Sequence, residues 1–142
     1  MHIETKAIHA GRRVDPLTGA VSIPLHTSTT FERAADGSFP TGFEYARDDN
    51  PTRKAFEDAL AALEGGSTAI AFSSGMAAIT AAVMALVDKG AHVVAATDLY
   101  GGPYNLFNQE FPSLGMSATL VDSYDLEAIE AAIQPNTQIL YF

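Results

Sequence analysis

The sequence contains no cysteine and no tryptophan, and it has only 8 basic residues against 17 acidic ones. Without cysteine, the chain has neither a disulfide framework nor thiolate chemistry. The net charge of −9 argues against nucleic acid as a partner, because no basic face is available to neutralise phosphates. The 4 histidines are too scattered along the chain to predict a metal site.

Long apolar runs are also missing. The longest one ends at Asp88 and Lys89, well short of the ~20 residues that a membrane-spanning helix needs. The N-terminus is polar and lacks the apolar core of a secretion signal. With 47% hydrophobic residues over 142 positions, the chain can still form a core. We therefore expect a soluble, cytoplasmic protein with no membrane partner.

The chain is organised in two parts. Residues 1–50 are interrupted repeatedly by proline and glycine, which predicts an irregular arm with one short helix near residues 4–9. From residue 51 onward, the apolar spacing predicts helices alternating with strands. The predicted helices are 51–64, 76–87, 103–111 and 126–133, and the predicted strands are 68–72, 92–96, 118–121 and 138–142. This alternation favours an α/β fold with a mainly parallel sheet over residues 51–142, where the sequence ends inside a strand.

One strand-to-helix junction is predicted to bind an anion. The apolar run 69–72 ends in Ser73-Ser74-Gly75, and an alanine-rich helical segment begins at once. The first amides of a helix have no intrahelical acceptor, and the helix dipole places positive charge at the same end. Such a junction suits a phosphate, which Gly75 would allow to approach closely. Small residues also occur at such turns because packing is tight, so that alternative stays open.

Three segments carry a family resemblance. They are Tyr45-Ala46-Arg47 followed by Asn50-Pro51-Thr52, then Ser73 to Ala78, then Asp98-Leu99-Tyr100-Gly101-Gly102. In this order the chain resembles the pyridoxal-phosphate enzymes of cysteine and methionine metabolism, which include cystathionine γ-synthase, cystathionine γ-lyase and methionine γ-lyase. The resemblance implies the N-terminal part of a fold type I, aspartate-aminotransferase-like large domain. It also implies pyridoxal 5'-phosphate as the cofactor.

The resemblance also implies a set of site residues. The cofactor-binding residues would be Tyr45, Arg47, Ser74, Gly75, Met76 and Tyr100. The backbone amides of Gly75 and Met76 would hold the phosphate, and Tyr45 and Arg47 of a neighbouring subunit would reach the same group. Tyr100 would stack on the pyridine ring and act as the catalytic group in proton transfer. Without the family, Tyr45-Ala46-Arg47 is more simply an exposed loop with a local Arg–Asp pair, and Tyr100 a half-buried aromatic.

The family's Schiff-base lysine has no counterpart in this sequence. Lys6, Lys54 and Lys89 are the only lysines, and none follows a predicted strand at the site. We therefore expect the N-terminal portion of a longer trans-sulfuration enzyme that is inactive alone. The intact enzyme would act on small sulfur amino acids or their precursors by γ-replacement or γ-elimination, and would assemble as a homo-oligomer, a dimer of dimers. The alternatives are a non-catalytic truncated chain that binds phosphate or pairs with another subunit, and a fragment without function of its own.

Overall fold

The computed structural model describes residues 2–142, and the chain divides into two compact units between Ala71 and Phe72. The sequence analysis placed a boundary at residue 50, between an N-terminal arm that contacts a neighbouring subunit and the α/β domain. That boundary and the contact of the arm stay predictions. Among the described residues, no helix is both long and apolar enough to cross a membrane.

The first unit consists of two helices joined by an irregular segment. These helices are α1 (Ile3–His9) and α2 (Pro51–Glu64). α2 begins where the sequence indicated, because the Asn50 side chain accepts a hydrogen bond from the amide of Thr52 at 2.8 Å. Pro51 is tolerated at the first helical position because the backbone N–H that proline lacks would have no intrahelical acceptor there. It ends at Gly65, whose φ of 72° is left-handed. Lys6 Nζ ties α1 to α2 by donating to the carbonyl of Ala62 at 3.3 Å.

The predicted strand 68–72 is wrong. The segment is extended but forms no ladder with any described residue. An extended segment becomes a strand only where a neighbouring strand supplies partners, and periodicity alone cannot show that partner. Here the amide of Ala71 donates instead to Glu57 Oε1 on α2, at 2.8 Å. Ser73-Ser74-Gly75 therefore follows an extended connection rather than a sheet strand of the described chain.

The second unit is a parallel α/β structure. Its sheet has the order β2-β1-β3, with β1 (His92–Ala96) in the centre. Both pairings are parallel, which confirms the predicted sheet; β1 pairs with β2 from His92–Ser117 to Ala96–Val121. The remaining elements are α3 (Gly75–Leu86), α4 (Gly101–Asn105), a π-helical turn (Leu106–Glu110), α5 (Phe111–Ser113), β2 (Ser117–Val121), α6 (Leu126–Ala132) and β3 (Thr137–Tyr141).

The single helix predicted over 103–111 is instead three consecutive helical pieces. The amide of Phe111 donates to the carbonyl of Leu106, five residues back, so the ladder shifts by one residue. Pro112 explains the shift, because it has no amide hydrogen and its ring crowds the carbonyl four residues earlier. The shift accompanies an edge-to-face contact between Phe107 and Phe111, with ring centroids 5.1 Å apart.

The core of the second unit lies on one face of the sheet and fixes the carboxyl end of β1. Its buried members are Val83, Val93, Ala95, Leu106, Phe107, Phe111 and Met116. Burying a side chain of this size contributes about 1.5–3 kcal/mol relative to exposing it. The core therefore holds α3 and the helical segment that follows β1 against the same sheet.

A buried histidine joins the three strands at the amino end of β1. His92 is 1% exposed, and its two ring nitrogens lie 2.8 Å from the hydroxyls of Thr119 on β2 and Thr137 on β3. Burial lowers the pKa of His92 below its ordinary value. This histidine thus links the central strand to both of its neighbours.

Candidate functional site

The first turn of α3 presents unpaired backbone donors. Ser74 is extended and caps the helix, with its Oγ accepting from the amide of Ala77 and its carbonyl accepting from Ala78, each at 3.1 Å. Among the described residues, this arrangement leaves the amides of Gly75 and Met76 without an acceptor. α3 has twelve residues and no acidic side chain in its first turn, so the positive end of its dipole is uncompensated.

The space around Gly75 favours the anion interpretation over tight packing. A β-carbon built on Gly75 would meet nothing within 4 Å, so no described residue requires glycine there. Ser73, Ser74 and Gly75 are all exposed. The absence of a side chain instead leaves the two free amides open to a ligand.

The third motif lies at the carboxyl end of β1, the edge at which ligands bind in parallel sheets. Tyr100 precedes α4 and is 78% exposed, so its ring is not the half-buried aromatic that packing alone would give. Within this unit, the exposed ring and its hydroxyl are accessible to a ligand.

Gly102 brings the second and third motifs together. A β-carbon on Gly102 would lie 2.9 Å from Met76 Cγ and closer still to Sδ. The Met76 side chain therefore packs directly on the backbone of Gly102 and joins the start of α3 to the start of α4. Sequence reasoning assigned Met76 only a backbone role and missed this contact. The paired glycines after Tyr100 were the available signal.

The loop around Arg47 is fixed through its backbone. The amide of Ala46 donates to the carbonyl of Thr29 at 2.8 Å, and Tyr45 forms an isolated antiparallel bridge with Thr30. Arg47 is exposed, and its Cζ lies 4.7 Å from the centroid of the Tyr45 ring, within range of a cation–π contact.

The local Arg–Asp pair that was considered for this loop involves another arginine. Asp49 Oδ1 lies 3.5 Å from Arg53 Nη2. Among residues 2–142, no carboxylate lies within ion-pair distance of Arg47. Its guanidinium charge is therefore uncompensated and accessible.

The Asn50-Pro51-Thr52 segment has a structural role. Asn50 Nδ2 donates to the carbonyl of His26 at 3.0 Å, and the amide of His26 donates to Thr52 Oγ1 at 2.9 Å. The Thr52 hydroxyl in turn donates to the carbonyl of Pro24 at 3.4 Å. The motif thus caps α2 and fastens the irregular segment at residues 24–26 to its first turn.

The six expected site residues are divided between the two units. Tyr45 and Arg47 belong to the first unit, whereas Ser74, Gly75, Met76 and Tyr100 belong to the second. The four in the second unit lie at the starts of α3 and α4, which the contact between Met76 and Gly102 brings together. Within the second unit, free amides beside an open glycine suit a phosphate group; within the first unit, an unpaired arginine does so independently.

A parallel sheet with free helix-start amides near the carboxyl end of its central strand is an arrangement typical of cofactor-binding α/β domains. The family model for Cys/Met metabolism PLP-dependent enzymes matches residues 4–142, and the chain belongs to this family. Membership implies pyridoxal 5'-phosphate as the cofactor, as the resemblance predicted.

Individual relatives carry both synthase and lyase names. The chain is 48% identical to the cystathionine gamma-synthase of Mycobacterium bovis over 137 residues, which cover 96% of this chain and 35% of that protein. It is 45% identical to the cystathionine gamma-lyase of Bacillus subtilis over 141 residues, which cover 99% of this chain and 37% of that protein. The chain thus spans little more than a third of the length of these curated relatives.

A solved structure shows the same fold. The crystal structure of metB from Corynebacterium glutamicum superposes with a TM-score of 0.95 at 39% identity, covering 100% of this chain and 37% of that one. This likeness confirms the predicted fold class, the N-terminal part of a fold type I pyridoxal-phosphate enzyme's large domain.

Proposed function

We propose that this chain forms the N-terminal part of a pyridoxal-phosphate enzyme of trans-sulfuration. The intact enzyme acts on small sulfur amino acids or their precursors by γ-replacement or γ-elimination. Cystathionine γ-synthase, and with it methionine biosynthesis, is the first choice, and 48% identity to a synthase supports it. A lyase at 45% identity makes γ-elimination the second choice. The cytoplasmic location expected from the sequence stays a prediction.

The start of α3 binds the cofactor phosphate in this proposal. The observation that carries it is the pair of unpaired amides at Gly75 and Met76, beside a glycine whose missing side chain no described neighbour requires. Because Ser74 Oγ already accepts from Ala77, its own proton is available to donate to a phosphate oxygen.

Tyr45 and Arg47 supply a second set of hydrogen-bond donors for a phosphate. A guanidinium donates two parallel hydrogen bonds to a phosphate, and it does so best when no carboxylate competes for it. The stack on Tyr45 limits the directions that Arg47 samples, while the phenol itself can donate. By family resemblance, this phosphate belongs to a neighbouring subunit's cofactor, and we propose a homo-oligomer, a dimer of dimers, on that basis.

Tyr100 is proposed as the catalytic residue of this chain. When bound, pyridoxal phosphate would supply an electron sink for the substrate. The exposed Tyr100 phenol would stack on the cofactor ring and hold or move a proton at its Oη. Its position after β1 is the one expected for a residue at the ligand-binding edge of a parallel sheet.

The covalent attachment of the cofactor requires a lysine that we do not find here. Lys6 donates to a backbone carbonyl and Lys54 pairs with Asp58. Lys89 precedes β1 and so lies near the sheet's amino end, away from Tyr100. We therefore propose that these 142 residues are not active alone. Turnover of a γ-substituted amino acid by the isolated chain would contradict this.

Replacing Arg47 with alanine in the full-length protein tests the phosphate grip. Losing a charge-assisted interaction worth about 1.5–3 kcal/mol weakens pyridoxal phosphate binding roughly 10- to 100-fold. Arg33→Ala is the matched control, because Arg33 also lies over an aromatic ring of this unit, at 5.6 Å from the centroid of Phe39. Binding is measured by absorbance titration with pyridoxal phosphate and with phosphate-free pyridoxal, whose affinity stays unchanged. Equal phosphate-dependent affinity in Arg47→Ala and in the unmodified protein would refute the role of Arg47.

A further inference from the structure

We infer that Arg53 and Glu57 of α2 are a positioning pair that holds the loop of Arg47 in its phosphate-binding conformation. The inference rests on the proposed function, because it assumes that Arg47 binds the cofactor phosphate. Neither residue is placed against the ligand itself.

Arg53 holds the backbone on both sides of Arg47. Its Nη1 donates to the carbonyl of Ala46 at 3.1 Å, and its Nη2 donates to the carbonyl of Asp48. Nη2 also lies 3.5 Å from Asp49 Oδ1. The guanidinium thus spans the peptide units before and after Arg47, which requires two donors at a fixed separation.

Glu57 anchors Arg53 from the opposite side. It is 9% exposed and is the only buried carboxylate among the described residues. Its Oε1 lies 3.4 Å from Arg53 Nε and accepts from the amide of Ala71 at 2.8 Å. A buried carboxylate is tolerated when it is paired and hydrogen-bonded in this way. The hydrogen bond from the amide of Ala71 fixes the Glu57 carboxylate. The fixed carboxylate in turn restricts the position of the Arg53 side chain.

Arg47 depends on this support. Among the described residues, the exposed Arg47 side chain stacks on the Tyr45 ring and makes no ion pair, so its direction follows largely from the loop backbone. Two anchored carbonyls flanking Arg47 therefore orient the guanidinium before any ligand binds. Pre-orientation of this kind raises affinity by reducing the entropy lost on binding.

The neighbouring pair on α2 provides a matched control. Lys54 and Asp58 have the same i, i+4 spacing as Arg53 and Glu57, but their side chains are 48% and 42% exposed. Lys54 makes no hydrogen bond to the Arg47 loop in the described chain. Its removal costs a surface ion pair and leaves the loop in place.

The test measures pyridoxal phosphate affinity of the full-length protein in a double-mutant cycle. Arg53→Lys keeps the charge but offers one point donor, so we expect the dissociation constant to rise roughly tenfold, as for one lost charge-assisted hydrogen bond. In an Arg47→Ala background, the same substitution has no further effect, because the group it positions is gone. Affinity for phosphate-free pyridoxal does not change in either background, and Lys54→Gln leaves both affinities unchanged.

The outcomes of this cycle distinguish a failure of the positioning role of Arg53 from a failure of the phosphate-binding role of Arg47. An equal loss from Arg53→Lys with and without Arg47 would mean general destabilisation and would overturn the positioning role, as would unchanged affinity in Arg53→Lys. Unchanged affinity in Arg47→Ala would instead refute the phosphate role of Arg47, and this inference with it. If Arg53→Lys does not fold, Glu57→Gln replaces it in the cycle, because the amide oxygen still accepts from Ala71 while Arg53 Nε loses its ionised partner. We expect the same dependence on Arg47.

Discussion

Replacing Gly102 with alanine tests whether the starts of α3 and α4 are held together by Met76. The new β-carbon would lie 2.9 Å from Met76 Cγ and closer to Sδ, so the thioether has to move. Overpacking of this kind costs about 1–3 kcal/mol, and methionine's flexibility keeps the cost near the middle of that range. Removing a glycine from a helix returns about 0.5–1 kcal/mol. We expect a net destabilisation of about 1 kcal/mol.

The adjacent glycine is the control for this prediction. A β-carbon on Gly101 would meet nothing within 4 Å. Gly101→Ala is therefore expected to stabilise the protein by about 0.4–1 kcal/mol, through the unfolded chain alone. The opposite signs of the two substitutions are read from urea unfolding of the full-length protein.

A second variant separates the contact from other effects of Gly102. In a Met76→Ala background, Gly102→Ala has free space, so its cost disappears and the two substitutions are strongly non-additive. If Gly102→Ala stabilises the protein as much as Gly101→Ala, or costs the same with and without the Met76 side chain, the packing argument is wrong.

Two further predictions concern a phenol and a histidine. Tyr100→Phe keeps the ring and removes Oη, so we expect turnover to fall about 10²- to 10⁴-fold with unchanged cofactor affinity, whereas full activity would reduce Tyr100 to a packing residue. Burial lowers the pKa of His92 below its ordinary value of 6.5 in the folded protein. Below pH 6.5, the histidine of the unfolded chain therefore binds a proton more readily than that of the folded protein, and the free energy of unfolding falls on acidification by up to about 1.4 kcal/mol per pH unit. Melting temperatures between pH 5 and 8 should show a weaker acid dependence in His92→Gln, and identical profiles would exclude His92 as the group responsible.

Local signals in the sequence predicted the element boundaries well. α2 runs from Pro51 to Glu64 as expected, because the residues that start and stop it, Asn50 and Gly65, lie directly next to its two ends in the sequence. One failure involves a partner that is more distant in sequence. Segment 68–72 has the apolar run of a strand, but the amide of Ala71 is used by a side chain of α2. The π-helical turn before Phe111 depends on a proline downstream and on aromatic packing, which periodicity does not register.

The candidate site was predictable only in part for the same reason. Free amides at the start of a helix follow from backbone rules, so the unpaired amides of Gly75 and Met76 were predictable from the sequence, and their role in binding a phosphate stays a prediction. Charge order alone left Asp49 able to pair with either neighbouring arginine, and geometry pairs it with Arg53. The contact between Met76 and Gly102 joins residues that the sequence places far apart, and it needed the fold.

The residues of the three motifs fall into two groups, according to whether a contact within the described chain requires each side chain. Asn50, Thr52 and Gly102 are required by the chain itself, because each satisfies or permits a contact between described residues. Gly75 and Arg47 are not: one faces open space and the other carries an unpaired charge. Exposed residues that folding does not require are the ones that a ligand would have to explain. Under the proposed function, a bound phosphate would account for the missing side chain at Gly75 and, separately, for the unpaired charge on Arg47.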